Sequence, residues 1–170
     1  MILPIVKEPQ PILHQRATPV TEVTPEIRRV INDMIETMYV AEGVGLAANQ
    51  IGLSWDILVA SSDGKRGKEI ILLNAEIVER RGRFRSPEGC LSLPGVSAEV
   101  SRAAEVTVAG LDHHLKPITL KADGLFAKIV QHEVDHLHGL LYIDRLGFFR
   151  RKGILQKYKK LMETLGHVKM

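Results

Sequence analysis

The organising helix of this chain is encoded by residues 123–139, DGLFAKIVQHEVDHLHG. Its apolar residues recur at helical spacing: Leu125, Ile129, Val130 and Val134. Gly139 stands where a glycine commonly ends a helix. The pattern therefore predicts a helix from Asp123 to His138 with one face in the core.

This helix carries a chemical motif, His132-Glu133-Val134-Asp135-His136. Residues four apart lie on the same helix face, so His132 and His136 can both direct a ring nitrogen at one metal ion. A divalent ion lowers the pKa of a bound water to about 7, and Glu133, one residue on, can accept that water's proton. The spacing is typical of metal hydrolases.

A third ligand must come from elsewhere, because catalytic metal sites typically take three protein ligands. A histidine at position 142 would complete one known pattern, but that residue is tyrosine. Glu163, the only glutamate after the motif, falls on the polar face of a separate basic helix. The remaining candidate is Cys90, in the segment EGCLS at 88–92, because thiolates bind borderline metals well. We therefore predict Cys90 as the third ligand.

A second unusual stretch is GVGLAANQ, from Gly43 to Gln50. Its glycines let the backbone pass close to a ligand, but it lacks the Lys-Ser/Thr ending of a phosphate loop. The Gln50 amide is a neutral donor that could stabilise an oxyanion. Taken alone, the stretch is best interpreted as a turn with a surface amide.

The remaining elements indicate an α+β order. Thr24-Pro25-Glu26 is a helix start, and the helix it opens is expected to stop at Gly43. Short apolar or alternating runs predict strands at 56–61, 69–73, 105–111 and 116–121. The last helix has apolar residues on one side, namely Ile154, Leu155, Tyr158, Leu161, Met162 and Leu165. Helix, strands, helix and helix do not alternate as βαβ units would.

The composition of the chain narrows the class of protein. The chain has 170 residues, of which 45% are hydrophobic and 25% charged, which fits one globular domain over 1–170. No apolar run approaches the roughly 20 residues that span a bilayer, so an integral membrane protein is not expected. A single cysteine suits a reducing compartment.

Residues 148–170 carry seven Lys or Arg against one acid, which predicts a basic C-terminal helix.

Three motifs together resemble the peptide deformylase family: GxGLAAxQ at 43–50, EGCLS at 88–92 and QHExDHLxG at 131–139. The chain is most similar to the type I bacterial branch. The resemblance extends over nearly the whole chain. It implies antiparallel β-sheets packed around a central metal-binding helix, with an N-terminal and a C-terminal helix.

The implied activity is hydrolysis of the N-formyl group from formylmethionine at the start of nascent polypeptides, with release of formate. By this resemblance the metal ligands are Cys90, His132 and His136, and the catalytic groups are Glu133, Gln50 and the Leu91 N–H. The residues expected to contact the substrate are Gly45, Gly89, Leu125 and Ile129.

Glu88 and Arg102 are expected to form an ion pair that holds the cysteine loop. One divalent ion per chain is implied, natively Fe²⁺, with Zn²⁺, Ni²⁺ or Co²⁺ as substitutes.

The resemblance also implies partners and location. The expected partners are formyl-methionyl nascent peptides and the ribosome, the latter contacted through the basic C-terminal helix. We expect a cytoplasmic monomer that binds no membrane and no specific nucleic-acid sequence.

Two other functions are compatible with a metal-binding helix. A small zinc endopeptidase is disfavoured by the upstream cysteine ligand. A structural metal domain is disfavoured because such sites normally have four protein ligands, and because Glu133 would then have no role. Formate release from formyl-Met peptides distinguishes both from a deformylase.

Overall fold

A computed structural model describes residues 1–168, with the side chains of residues 1–166. Lys169, one of the basic residues counted in the C-terminal helix, lies outside this range, as does Met170. The described chain forms α1 (Pro25–Val40), β1 (Gly45–Ala47), β2 (Ile57–Ser61), β3 (Glu69–Arg81), β4 (Phe84–Cys90), β5 (Leu93–Arg102), β6 (Glu105–Leu111), β7 (Pro117–Asp123), α2 (Gly124–Leu137) and α3 (Phe148–Val168). This order confirms the α+β class.

Helix α1 begins as the sequence predicts. The Thr24 hydroxyl accepts a hydrogen bond from the Ile27 N–H, and Pro25 occupies the first turn. The helix ends at Val40, earlier than predicted, because the chain turns left-handed at Glu42 (φ 57°). The Gly43 N–H then bonds back to the Met38 carbonyl, which closes the turn.

The main sheet has five antiparallel strands in the order β1-β2-β3-β6-β7. Leu58, Ala60 and Leu72 pack on one face with residues of α2. Ile57, Val59 and Leu73 pack on the other face with residues of α1. Helices therefore cover both faces, which explains why β2 is apolar at every position of its core run.

The second sheet is the hairpin of β4 and β5, which the sequence analysis did not predict as strands. Pro87 and Gly89 lie within β4, and both residue types are depleted in strands. Pro87 is tolerated because the hairpin has only two strands, so each has a free edge. The hairpin presents Cys90 at the end of β4.

Helix α3 packs against this hairpin. Tyr158 is 5% exposed, and its hydroxyl donates to the Glu8 carbonyl at 2.8 Å. Leu161 fills the space beside Gly95 and leaves no room there for a Cβ atom. Leu165 departs from the predicted buried stripe, since it is 47% exposed near the helix end.

Between residues 1 and 168, no helix is long and apolar enough to span a membrane.

Candidate active site

The three predicted metal ligands meet at one point. His132 and His136 project from α2, and Cys90 reaches them from the end of β4. The two Nε2 atoms are 3.2 Å apart, and the Cys90 Sγ lies 3.3 Å from the His136 Nε2. Within the described residues these three form the one cluster of His, Cys, Asp or Glu side chains arranged to hold a metal ion.

The spacing of these atoms fits a divalent ion. Two nitrogens bound tetrahedrally at 2.0–2.1 Å from one ion stand about 3.3 Å apart, close to the observed separation. His132 is oriented for this role, because its Nδ1 bonds to the Glu88 carboxylate at 2.9 Å and leaves the Nε2 facing the cluster. Two imidazoles and a thiolate also suit a borderline transition metal.

A buried ion pair supports the ligands, as the resemblance implies. Arg102 donates to both oxygens of Glu88, at 2.7 and 2.9 Å, and both side chains are almost fully buried. Burial acts to raise the pKa of Glu88, but the hydrogen bonds from Arg102 and His132 outweigh it and lower the pKa to about 2. Glu88 therefore stays ionised and holds both the hairpin and His132.

Three supporting residues were missed by the sequence analysis. Asp135, inside the metal motif, accepts hydrogen bonds from Arg102 at 2.7 Å and from Arg145 at 2.6 Å. Asn49 donates its side-chain amide to the His136 carbonyl. Asn49 lies within the glycine-rich motif, so its position was available as a signal, whereas nothing in the local sequence points to Arg145.

Glu133 is buried beside the ligands. Its Oε2 has no hydrogen-bond partner among the described residues. Burial raises its pKa to about 7, although the nearby His132 and Arg102 act to lower it. A carboxylate with a pKa near neutrality can both accept and return a proton.

Gln50 is not the surface amide that its local sequence indicates. It is 1% exposed, because β1 and the short helical turn Ala48–Ile51 fold into the core. Its Oε1 accepts from the Ala47 N–H at 3.0 Å, which fixes the orientation of the amide. Its Nε2 therefore faces the site, 3.2 Å from the Ser92 Oγ and 3.5 Å from the Cys90 Sγ.

A cleft of about 420 Å³ opens onto this cluster. Its lining includes the predicted substrate and oxyanion residues, namely Gly45, Gln50, Gly89, Leu91, Leu125 and Ile129. Ile129 is 4% exposed at the wall, whereas Leu125 is 57% exposed at the mouth. Gly45 lies on β1, an edge strand of the main sheet, and Gly89 lies on β4 of the hairpin. The cleft thus has a strand edge on each side.

Three side chains that could hold a metal ion, a buried carboxylate and an oriented amide meet at one cleft, which is the arrangement of a metal-dependent hydrolase. Residues 2–152 match the family model of polypeptide deformylase. The chain is 42% identical to the peptide deformylase of Aquifex aeolicus over 167 residues, covering 96% of this chain and 99% of that protein. The chain belongs to the polypeptide deformylase family.

Comparison with solved structures supports the same family assignment. A peptide deformylase from Legionella pneumophila superposes with a TM-score of 0.92 at 39% identity, covering 98% of both chains. One from Synechococcus elongatus, solved in complex with actinonin, has a TM-score of 0.86 at 36% identity and covers 91% of this chain and 86% of that one. The family uses a metal ion to remove the N-formyl group from nascent polypeptides, which confirms the function predicted from the sequence.

Gly45 gives a direct test of how tightly Glu133 is packed. A Cβ atom at Gly45 would lie 2.7 Å from the Glu133 Oε1, so Gly45→Ala must displace the carboxylate. We expect turnover to fall by about 10²-fold, the cost of a displacement near 1 Å, with metal content unchanged. Steady-state kinetics with metal analysis measure both.

The matched control is Gly153→Ala on α3, where a Cβ atom meets nothing within 4 Å among the described atoms. It should leave turnover unchanged. Wild-type turnover in Gly45→Ala would show that catalysis does not depend on the close packing of Glu133 against Gly45.

Proposed function

We propose that Cys90, His132 and His136 hold one divalent ion and that Glu133 is the acid-base catalyst of deformylation. When bound, the ion supplies Lewis acidity and lowers the pKa of a water molecule. Glu133 takes a proton from the attacking water and returns it to the departing amine. The observation that carries this assignment is the unpartnered Glu133 Oε2, buried next to the three converging ligand atoms.

The developing oxyanion is stabilised by two donors of the chain. The Gln50 Nε2 is already turned toward the site, because the Ala47 N–H holds the other end of the amide. The backbone N–H of Leu91, one residue after Cys90, is the second donor. Preorganised donors of this kind require no reorganisation as charge develops, which makes them effective in catalysis.

The substrate binds as an extended strand in the cleft. The backbone at Gly45 and Gly89 lies on the two strand edges beside the cleft, so a peptide can pair with either one. Ile129 and Leu125 line the pocket for the methionine side chain, with Ile129 buried in its wall and Leu125 at its mouth. Residues 1–170 act as one catalytic domain.

The experiment is a comparison of blocked peptides. The metal-loaded enzyme should release formate from formyl-Met-Ala-Ser, and should not act on acetyl-Met-Ala-Ser or on an internal peptide blocked at both ends. Cleavage of the internal peptide would favour the endopeptidase. Full metal occupancy without any formate release would favour a structural metal domain.

We further propose Fe²⁺ as the native ion and the cytoplasm as the location, with the enzyme acting as a monomer. The thiolate of Cys90 supports a soft or borderline metal. Oxidation of this ligand and of the iron should make the enzyme sensitive to air. Metal analysis and activity after anaerobic purification, compared with aerobic purification, test the assignment.

Helix α3 is proposed to contact the ribosome. Its lysines at 152, 157, 159 and 160 are exposed, and basic side chains attract RNA phosphate without sequence preference. Arg150 and Arg151 are less suitable as probes, because Arg150 donates to the Glu99 carbonyl and Arg151 pairs with Asp144.

Reversing two exposed lysines tests this contact. Lys157→Glu with Lys160→Glu should abolish co-sedimentation with ribosomes at low salt and leave turnover of short formyl peptides intact. The control is Arg28→Glu with Arg29→Glu on α1, an exposed pair with the same change of charge. Equal loss in both variants, or no co-sedimentation of the unmodified protein, would refute the proposal.

A further inference from the structure

A second cleft, of about 480 Å³, shares no lining residue with the active-site cleft. It lies between the β3–β4 turn, the end of β5, α2 and the turn Tyr142–Arg145. We call it the arginine cleft and define it by its charged lining residues: Arg80, Arg83, Arg102, Asp135, Asp144 and Arg145. The buried pair of Arg102 and Glu88 separates it from the active site.

Both acids of the arginine cleft are already neutralised. Asp135 accepts hydrogen bonds from Arg102 at 2.7 Å and from Arg145 at 2.6 and 3.0 Å. Asp144 pairs with Arg151 at 3.0 Å and accepts the Leu141 N–H at 2.8 Å. Neither carboxylate is left to neutralise the other arginines.

Arg80 and Arg83 are the two charged residues of the arginine cleft that are left without an ion-pair partner. Across the side chains described, neither guanidinium has a carboxylate within 4.0 Å. Arg83 donates to the Ser101 Oγ at 3.3 Å, and both arginines are exposed at the rim. Two arginines without a carboxylate partner therefore line a space large enough for a small ligand.

We infer that the arginine cleft binds a phosphate group, free or as a monoester, through Arg80 and Arg83. A phosphate monoester carries a charge near −2 at pH 7, which matches the two free guanidinium groups. The planar donor fork of arginine pairs with two phosphate oxygens at once. A carboxylate carries half that charge and satisfies one guanidinium.

The test is an amide-shift titration by NMR. The zinc-loaded enzyme is titrated with inorganic phosphate and with glycerol 3-phosphate at constant ionic strength. Saturable shifts are expected at Gly82, Arg83 and Ala103, and none at 89–91 beside the metal. Acetate, the monoanion control, should bind at least about tenfold more weakly, because one charge-assisted pair is lost.

The variant is Arg80→Glu with Arg83→Glu, which should weaken phosphate binding by at least about tenfold. Turnover of formyl peptides should be unchanged, since neither arginine is hydrogen-bonded to Glu88, Arg102, Asp135 or His132. The control Arg28→Glu with Arg29→Glu should keep wild-type phosphate affinity. Shifts that do not saturate, shifts centred on 89–91, or equal weakening in both variants would overturn the inference.

Discussion

Replacing Glu133 by alanine is expected to lower the rate of formate release by about 10²–10⁴-fold or more, while the metal and the fold are retained. The loss should reach or exceed the upper end, because we assign the same carboxylate to both proton transfers. Glu133 projects beside the ligand face of α2, so its removal leaves Cys90, His132 and His136 in place. Single-turnover kinetics and metal stoichiometry measure the two effects separately.

Thermal unfolding gives a second readout. The Glu133 Oε2 is buried without a partner among the described residues, and such a group costs free energy in the folded state. Glu133→Gln keeps the shape and removes the charge, so it should unfold at the same or a higher temperature and still lack turnover. Glu163→Ala, which removes an exposed carboxylate on α3, is the control for activity. Formate release near the wild-type rate in Glu133→Ala would show that another group moves the proton.

Replacing Cys90 by alanine is expected to remove most of the metal. Two imidazoles then remain where three ligands met, and the ion is under-ligated. Loss of an outer-shell partner alone costs 10–100-fold in affinity, so loss of a direct ligand should cost more than about 100-fold. Metal content after dialysis against a weak chelator measures this change.

The control is Ser92→Ala, two residues away. The Ser92 hydroxyl accepts a hydrogen bond from the Gln50 amide but is not part of the ligand cluster. This variant should keep its metal and lose part of its turnover. A fully loaded Cys90→Ala protein would mean that a different side chain completes the site.

Local sequence predicted the elements whose stability depends on near neighbours. The i, i+4 spacing of His132 and His136 places both on one helix face whatever else the fold does. The start of α1 depends on Thr24 and Pro25 alone, and the structure agrees with both predictions. Cys90 followed from elimination, because no downstream residue could serve as the third ligand.

The β4–β5 hairpin could not be predicted in this way. Its first strand contains a proline and a glycine, and it pairs because β5 lies alongside and α3 packs behind it. The interpretation of Gln50 as a surface amide was wrong for a related reason. Strand β1 has only three residues, so its pairing with β2, and not its own composition, brings Gln50 into the core.

The amino-acid sequence by itself thus predicted helix α2, the convergence of Cys90 with His132 and His136, the family resemblance and the basic character of the C-terminal helix. These features rest on helical periodicity, residue chemistry and motif order, all of which can be read along the chain. Tertiary structure alone decided the contact of Gly45 with Glu133, the orientation of Gln50 and the bonding of Asp135 to Arg145. The physical reason is that each of these depends on distances between packed elements, and such distances are set by strand pairing and burial.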